Sequence, residues 1–311
     1  MKNTQGKWNV LIIGALLVCN FVCASARAQE ADENMVQPKS QWLDPYPKRM
    51  GLMWNAGADL VSNYIWRGLY VGGLGVQADF MVGYEGLWLD MWWNVGATDW
   101  TFKTQKPALK AAFNPEVDVA IGFSRWGLTV MFMHMYYFDK YVNPMTGVAQ
   151  TGNNSRYFDF DNHGPGEGGI TTEWRLKYKV SSKLPLHFMW CTRTFGRDGY
   201  YDTKTGKLKR AYSTYIELGY DFTLPYEILL EARVGFTPWK SMYTGFMGDF
   251  AVNNVSVKAI RAWDVSKHVK MTAFANMMLN PYDISNNAVN DISVNGGRQI
   301  LWNVGCGIYL K

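Results

Sequence analysis

The chain has no second long apolar run. Residues 10–22 are apolar, but nothing after them reaches the roughly 18 residues that a membrane-spanning helix needs. A helical membrane protein is therefore excluded. Cysteine is scarce as well. Of four cysteines, Cys19 and Cys23 lie in the first apolar segment, which leaves Cys191 and Cys306. Two are too few for a disulfide scaffold, and the strand assignment below sets them on opposite faces of a sheet, where they cannot bond. Nor is there a large excess of either charge. The formal net charge is +5, and removing Lys2, Lys7 and Arg27 with the N-terminal segment lowers it to +2. A pI near 8.8 is thus no argument for nucleic-acid binding.

That N-terminal segment has its own pattern. Lys2 and Lys7 precede the apolar run, and Ala26-Arg27-Ala28 supplies a small-x-small cleavage site. Residues 1–28 read as a secretory signal peptide that is removed, and about 13 apolar residues are too few for an anchor. Val18 and Val22 precede the two cysteines, which excludes a lipoprotein signal. Residues 29–50 are polar, carry Pro38, Pro45 and Pro47, and read as an exposed tail.

What the chain does have is aromatics, 15% of its residues. A transmembrane β-barrel places such rings in two interfacial girdles. Periodicity supports that architecture. Ile170, Thr172, Trp174, Leu176, Tyr178 and Val180 alternate with Thr171, Glu173, Arg175, Lys177 and Lys179. Only a strand separates two such sets. Twelve segments of this kind are expected, at 51–67, 74–85, 87–98, 116–124, 127–138, 168–180, 186–197, 211–223, 227–237, 251–263, 268–279 and 298–311. Short links alternate strictly with long ones, at 68–73, 99–115, 139–167, 198–210, 238–250 and 280–297. Tight periplasmic turns and long external loops give that rhythm, with both termini in the periplasm. The fold class is therefore all-β, an up-and-down antiparallel barrel spanning residues 51–311 and lodged in the bacterial outer membrane.

The last strand adds a separate signal. Asn303, Gly305, Ile308 and Leu310 fit the polar-x-Gly-x-x-apolar-x-apolar pattern handled by the barrel assembly machinery, although Lys311 follows where many such chains end on Phe. The first hairpin carries a family likeness. Asn55-Ala-Gly-Ala-Asp59-Leu-Val-Ser62-Asn63-Tyr64-Ile-Trp66-Arg67-Gly68, Val76-Gln77-Ala78-Asp79 and Gly86-Leu-Trp88 through Trp93-Asn94 resemble the TorF-type porin family over residues 51–98. The resemblance implies an outer-membrane barrel with a porin-like role and carries over no catalytic residue.

With the apolar face toward lipid, the other face maps the interior. Asp59, Asp79, Asp90, Glu116 and Asp118 form an acidic wall. Arg175, Lys177, Lys179, Arg193 and Arg197, with Arg67, Lys258 and Lys270, form a basic arc; Glu217, Asp221, Glu231 and Arg233 are mixed. Facing walls of opposite sign set a transverse field that orients dipolar solutes and selects ions. Two outcomes stay open: a pore for small hydrophilic or charged solutes, or charges that pair across the lumen and seal it into a structural or surface-binding barrel. Arg67 follows the parity of Asp59 and Asn63 and is expected to point inward near the mouth, paired with an acid of the second to fourth strands. Expected partners are outer-membrane lipids, the assembly machinery and small solutes, with no nucleic acid, cofactor or metal.

An outer-membrane lipid hydrolase is the enzymatic alternative. It needs Ser, His and Asn together on the lipid side. His134 falls on that face without a convincing serine beside it, and Ser124 falls inward. Asp159-Phe-Asp161-Asn162-His163-Gly164 starts like a calcium loop, but Ile170 stands where a bidentate Glu is required. Gly72-Gly73-Leu74-Gly75 reads as a hairpin turn. Loop 139–167 is expected either to constrict the lumen or to reach outward to a partner.

Overall fold

The computed structural model describes residues 52–96, 116–137, 170–181, 184–202, 204–246, 250–282 and 299–310. The expected leader, the tail at 29–50 and loop 139–167, with its calcium-like start, lie outside these residues.

Twelve strands close into one antiparallel wall. They are β1 (Leu52–Val61), β4 (Gly75–Tyr84), β5 (Leu87–Gly96), β6 (Glu116–Arg125), β7 (Leu128–Tyr137) and β8 (Ile170–Lys179). The other half is β9 (Leu186–Gly196), β12 (Thr214–Leu224), β13 (Ile228–Thr237), β14 (Ala251–Ser266), β15 (Val269–Asn280) and β16 (Gln299–Leu310). Each strand pairs with its predecessor in the wall. The ring shuts where β1 meets β16, from Ala56 opposite Leu310 to Val61 opposite Gly305. Closure pairs the two edge strands with each other over Ala56–Val61 and Gly305–Leu310.

Side-chain alternation follows from the pleat. On β5, Leu87, Leu89, Met91 and Val95 are exposed on the outer face while Asn94 is buried. On β16, Ile300, Trp302, Val304, Ile308 and Leu310 are exposed and Asn303 is buried. A one-residue slip would bring every polar inward group outside, so burial fixes the register. Three register shifts relieve it locally, at Thr172/Glu173 of β8, at Gly235/Phe236 of β13 and at Asp264/Ser266 of β14.

Among the described residues four further strands stand outside the wall, and two of them correct the expectation for residues 51–67. That stretch is not one strand. β1 stops at Val61, and β2 (Tyr64–Trp66) and β3 (Leu69–Gly72) form a separate hairpin. Ser62 and Asn63 explain the break, because their side chains take over the partners of the ladder. Val304 N–H donates to Ser62 Oγ at 3.0 Å, and Asn63 Nδ2 donates to the Trp302 carbonyl at 2.9 Å. The hairpin turns at Arg67 (φ 49°) and Gly68 (φ 84°), rather than at Gly72-Gly73. Two successive positive φ values are those of a two-residue primed turn. Between β9 and β12, β10 (Gly199–Asp202) and β11 (Lys207–Arg210) make a second hairpin, with Asp202 and Lys209 forming an ion pair at 2.5 Å.

Candidate functional site in the barrel lumen

The β2–β3 hairpin folds into the barrel and crosses it. β1 and β4, from which it springs, lie across the ring from β8, β9 and β12. Arg67 at its tip makes a two-pronged pair with Glu173 of β8, Nη1 to Oε2 at 2.6 Å and Nη2 to Oε1 at 2.8 Å. Nη1 also donates to Tyr243 Oη at 2.6 Å. The guanidinium lies 4.4 Å from the Trp66 ring centroid and 5.0 Å from that of Tyr215. Arg175 donates to the same carboxylate, at 3.0 Å from Nε and 2.7 Å from Nη2. One carboxylate thus sits between two guanidiniums, and the Glu173 and Arg67 side chains are 0% and 2% exposed.

The backbone of the tip is held as firmly as the side chain. Asn253 Nδ2 donates to the Arg67 carbonyl at 2.9 Å, and Asn280 Nδ2 to the Gly68 carbonyl at 3.0 Å. Gly68 N–H meets Met278 Sδ at 3.1 Å. A Cβ at Gly68 would lie 1.8 Å from the Asn253 carbonyl oxygen, so no other residue fits here. Trp66 and Leu69 pack with Met189, Cys191, Tyr215, Met242 and Tyr243. The hairpin is therefore a strap pinned across the loop end of the lumen.

A second ion cluster lies further toward the turn end, with the charges inverted. Arg233 of β13 sits among Asp221 at 2.8 Å, Glu231 at 3.3 Å and Glu217 at 3.6 Å. Lys179 approaches Asp221 at 3.9 Å. Arg233 thus reaches from β13 to Asp221 and Glu217 of the neighbouring β12 and to Glu231 on its own strand, and Lys179 of β8 reaches Asp221 past β9, so this cluster stays on one arc of the wall, whereas the Arg67 pair spans it.

Below the strap lies a cavity of about 290 Å³. The acids expected on one wall, Asp59, Asp79, Asp90, Glu116 and Asp118, all line it. Arg67, Arg175, Lys177, Lys179 and Lys258 line it too. Three residues of the expected basic arc do not. Arg193 turns toward the strap, 5.2 Å from the Trp66 ring, and Arg197 lies 5.2 Å from the ring of Tyr137. Lys270 is at the turn end, opposite Tyr309 and Asp264. Within the cavity Asp59 accepts from Tyr309 Oη at 2.7 Å, and Asp79 from Asn55 Nδ2 at 2.9 Å. Lys258 Nζ lies over the Phe274 ring at 4.3 Å.

The partner expected for Arg67 is corrected. It is Glu173 of the sixth wall strand, not an acid of the second to fourth. Alternation alone marks Glu173 as inward, yet nothing local links it to a residue 106 positions away.

A second feature that reasoning by charge passed over is apolar. Met81, Trp88, Ala120, Met131, Met133 and Met135 form one buried cluster on the inner face of β4–β7. Trp88 lies over Gly122, where an added Cβ would come within 2.2 Å of the indole, and its Nε1 donates to Ser124 Oγ at 3.0 Å. Of the residues in the terminal assembly pattern, Asn303 lines the cavity, and its Nδ2 donates to the Asn63 carbonyl at 3.2 Å. Gly305 gives room to the Phe274 ring, while Ile308 and Leu310 face outward and are exposed.

On the outer face His134 has Val119 and Thr172 opposite it, and Thr172 Oγ1 is hydrogen-bonded to Thr194 Oγ1 at 2.9 Å. Neither neighbour is a serine, and the Ser124 hydroxyl is inside with Trp88. Cys191 is buried and Cys306 exposed, both free.

No protein-family profile matches the chain, and neither does any curated protein. The likeness of residues 51–98 to the TorF-type family thus rests on those residues alone. Among solved structures, the chain is similar to the NanC porin at 9% identity and a TM-score of 0.41, with 83% of this chain and all of that one covered. An outer membrane channel of Pseudomonas putida F1 aligns at 8% identity and a TM-score of 0.43, covering 90% and 99%. The TodX monoaromatic hydrocarbon channel aligns at 10% identity and a TM-score of 0.34, covering 84% and 90%. At such identities these are distant likenesses of barrel to barrel.

Proposed function

We propose that this chain is an outer-membrane channel that passes small hydrophilic or charged solutes through a lumen narrowed by its own β2–β3 strap. The observation that carries the reading is the cavity beneath the strap, where acids of β1, β4, β5 and β6 share one space with bases of β8 and β14. An internal space lined by both signs favours ions and dipolar solutes over apolar ones.

Membrane insertion is supported by the outer face. Leu60, Phe80, Leu89, Ile121, Trp190, Leu218 and Val304 are exposed there, an arrangement that lipid favours and water does not. A closed wall satisfies its own backbone hydrogen bonds, which hydrocarbon demands. In this reading the short turns face the periplasm, the long connections and the β10–β11 hairpin face outward, and assembly proceeds through the barrel assembly machinery. The porin-like role implied by the first hairpin agrees with it.

The buried Arg67–Glu173 pair also favours a second reading, a barrel that its strap seals. Planar-bilayer recording separates the two. Discrete conductance steps are expected from purified full-length protein. Silent bilayers, together with no solute flux in liposomes, would sink the channel reading and leave the sealed barrel.

A further inference from the structure

We propose that the β10–β11 hairpin and Lys240 form a docking surface for the phosphorylated headgroup of an outer-leaflet glycolipid. The inference rests on the outer-membrane reading, which sets this end of the barrel at the outer surface. Charge, depth and the shape of the patch support it.

The charge is concentrated. Residues 199–210 carry Lys204, Lys207, Lys209 and Arg210 against Asp202 alone. Lys240 joins them in space, because its Nζ lies 4.6 Å from the centroid of the Tyr200 ring and Tyr200 stands opposite Lys209. Five bases against one acid leave +4 here, although the chain without residues 1–28 carries only +2. Lys207 stands opposite Asp202, whose carboxylate goes instead to Lys209 at 2.5 Å. Paired residues share a face of a hairpin, so Tyr200, Asp202, Lys207 and Lys209 lie together. Lys204 and Lys207 are exposed, and neither forms an ion pair among the described residues. A local surplus of this kind attracts anions.

The depth is marked by aromatic rings at the foot of the hairpin. Trp239 Nε1 donates to the Tyr212 carbonyl at 3.0 Å, and the two residues are 42% and 53% exposed. Phe250, also exposed, has its ring 5.5 Å from that of Phe236 on the outer face of β13. Exposed rings at one end of a wall mark the level where hydrocarbon gives way to headgroups. Lys240 directly follows Trp239, and Arg210 precedes Tyr212 by two residues. The cations therefore begin where the headgroups begin, and lysine stems are long enough to bring their charge to that level.

The shape favours a headgroup over a free solute. None of Lys204, Lys207, Lys209, Arg210 and Lys240 lines the cavity beneath the strap. They lie on a hairpin beside the wall, open to a surface and not to an enclosed space. Arg210 is committed to the fold, donating to the Gly196 carbonyl at 3.2 Å, and Lys209 is committed to Asp202. Lys204, Lys207 and Lys240 are left to meet phosphate.

Native mass spectrometry of the detergent-solubilised full chain tests this with lipid A. Saturable binding of the bisphosphorylated form is expected, weaker binding of the monophosphorylated form, and none of phosphatidylcholine or inorganic pyrophosphate. A cation near a charged lipid surface is worth about fivefold in affinity. Lys207→Gln with Lys240→Gln should therefore weaken lipid A at least tenfold. Arg125→Gln with Lys267→Gln, which removes two cations at the turn end, should leave it unchanged. Raising the ionic strength of the unaltered chain from about 0.05 M to about 0.5 M should weaken binding too, since exposed charges are screened. Equal affinity in the two double variants, no dependence on salt, or phosphatidylcholine bound as tightly as lipid A overturns the proposal. Pyrophosphate bound as tightly as lipid A overturns it as well, by making the patch a site for free anions. Lipid binding in detergent needs no flux, so the two readings fail separately. A barrel that conducts without preferring lipid A loses the docking surface and keeps the channel, and one that prefers lipid A but stays silent does the reverse.

Discussion

Glu173 has no contact with water and holds two guanidiniums at once. Removing one partner of a buried pair costs about 3–5 kcal/mol, because the other charge is left uncompensated in a poor solvent for it. Glu173→Gln should therefore release the Arg67 end of the strap, lower the urea midpoint of the barrel and raise its single-channel conductance severalfold. An unchanged conductance with a lowered midpoint would show that the strap does not limit flow. Gly122 provides a control that leaves this pair intact. A side chain there meets the Trp88 indole, and Gly122→Val is expected to destabilise the fold by about 1–3 kcal/mol through overpacking. Urea unfolding monitored by tryptophan fluorescence reads that loss. Which residues face inward was legible in the sequence, since a pleated strand has a strict period of two. Which inward residues meet across the lumen was not, because Arg67 and Glu173 are joined by the reach of a hairpin and not by a period.

At the scale of elements, the sequence already contained the twelve wall segments, most of them to within three residues of their observed ends. It misled at residues 62–67, where alternation continued through Tyr64 and Trp66 and the chain nevertheless left the wall. The signal lay in Ser62 and Asn63, short polar side chains able to replace backbone partners, and in Arg67-Gly68, whose glycine permits a primed turn. The β10–β11 hairpin was likewise hidden inside a long connection. It has a prediction of its own. Lys209, the Lys204 amide and the Thr205 hydroxyl hold the Asp202 carboxyl well below the usual carboxylate range. A depressed folded-state pKa adds stability that is present above the unfolded value, near 3.9, and is lost as pH falls through the folded value. Amide exchange over residues 199–210 should thus be equally protected at pH 7 and pH 5 after correction for intrinsic rates. Protection should fall only on stronger acidification, and Asp202→Asn should abolish that pH dependence.

For the molecule as a whole, the decisive partition is between an apolar outside and a charged inside. Val304 lies near the middle of β16 on the outer face and is 48% exposed. If lipid is what covers it, Val304→Arg should cost about 2–4 kcal/mol, as a cation does at the bilayer midplane. Urea unfolding from phospholipid vesicles measures the difference, and a cost near zero would argue against insertion. The closed ring has a mechanical side as well. A ring of hydrogen-bonded strands resists stretching around its circumference but flattens easily, because its cross-section can become oval without breaking a bond. The strap acts as a spoke. Pinned at Glu173 on one side and rooted in β1 and β4 on the other, it fixes one diameter of the circle. Roundness therefore depends on a single hairpin, and a barrel freed of it would be softer along one axis while keeping every strand pair intact.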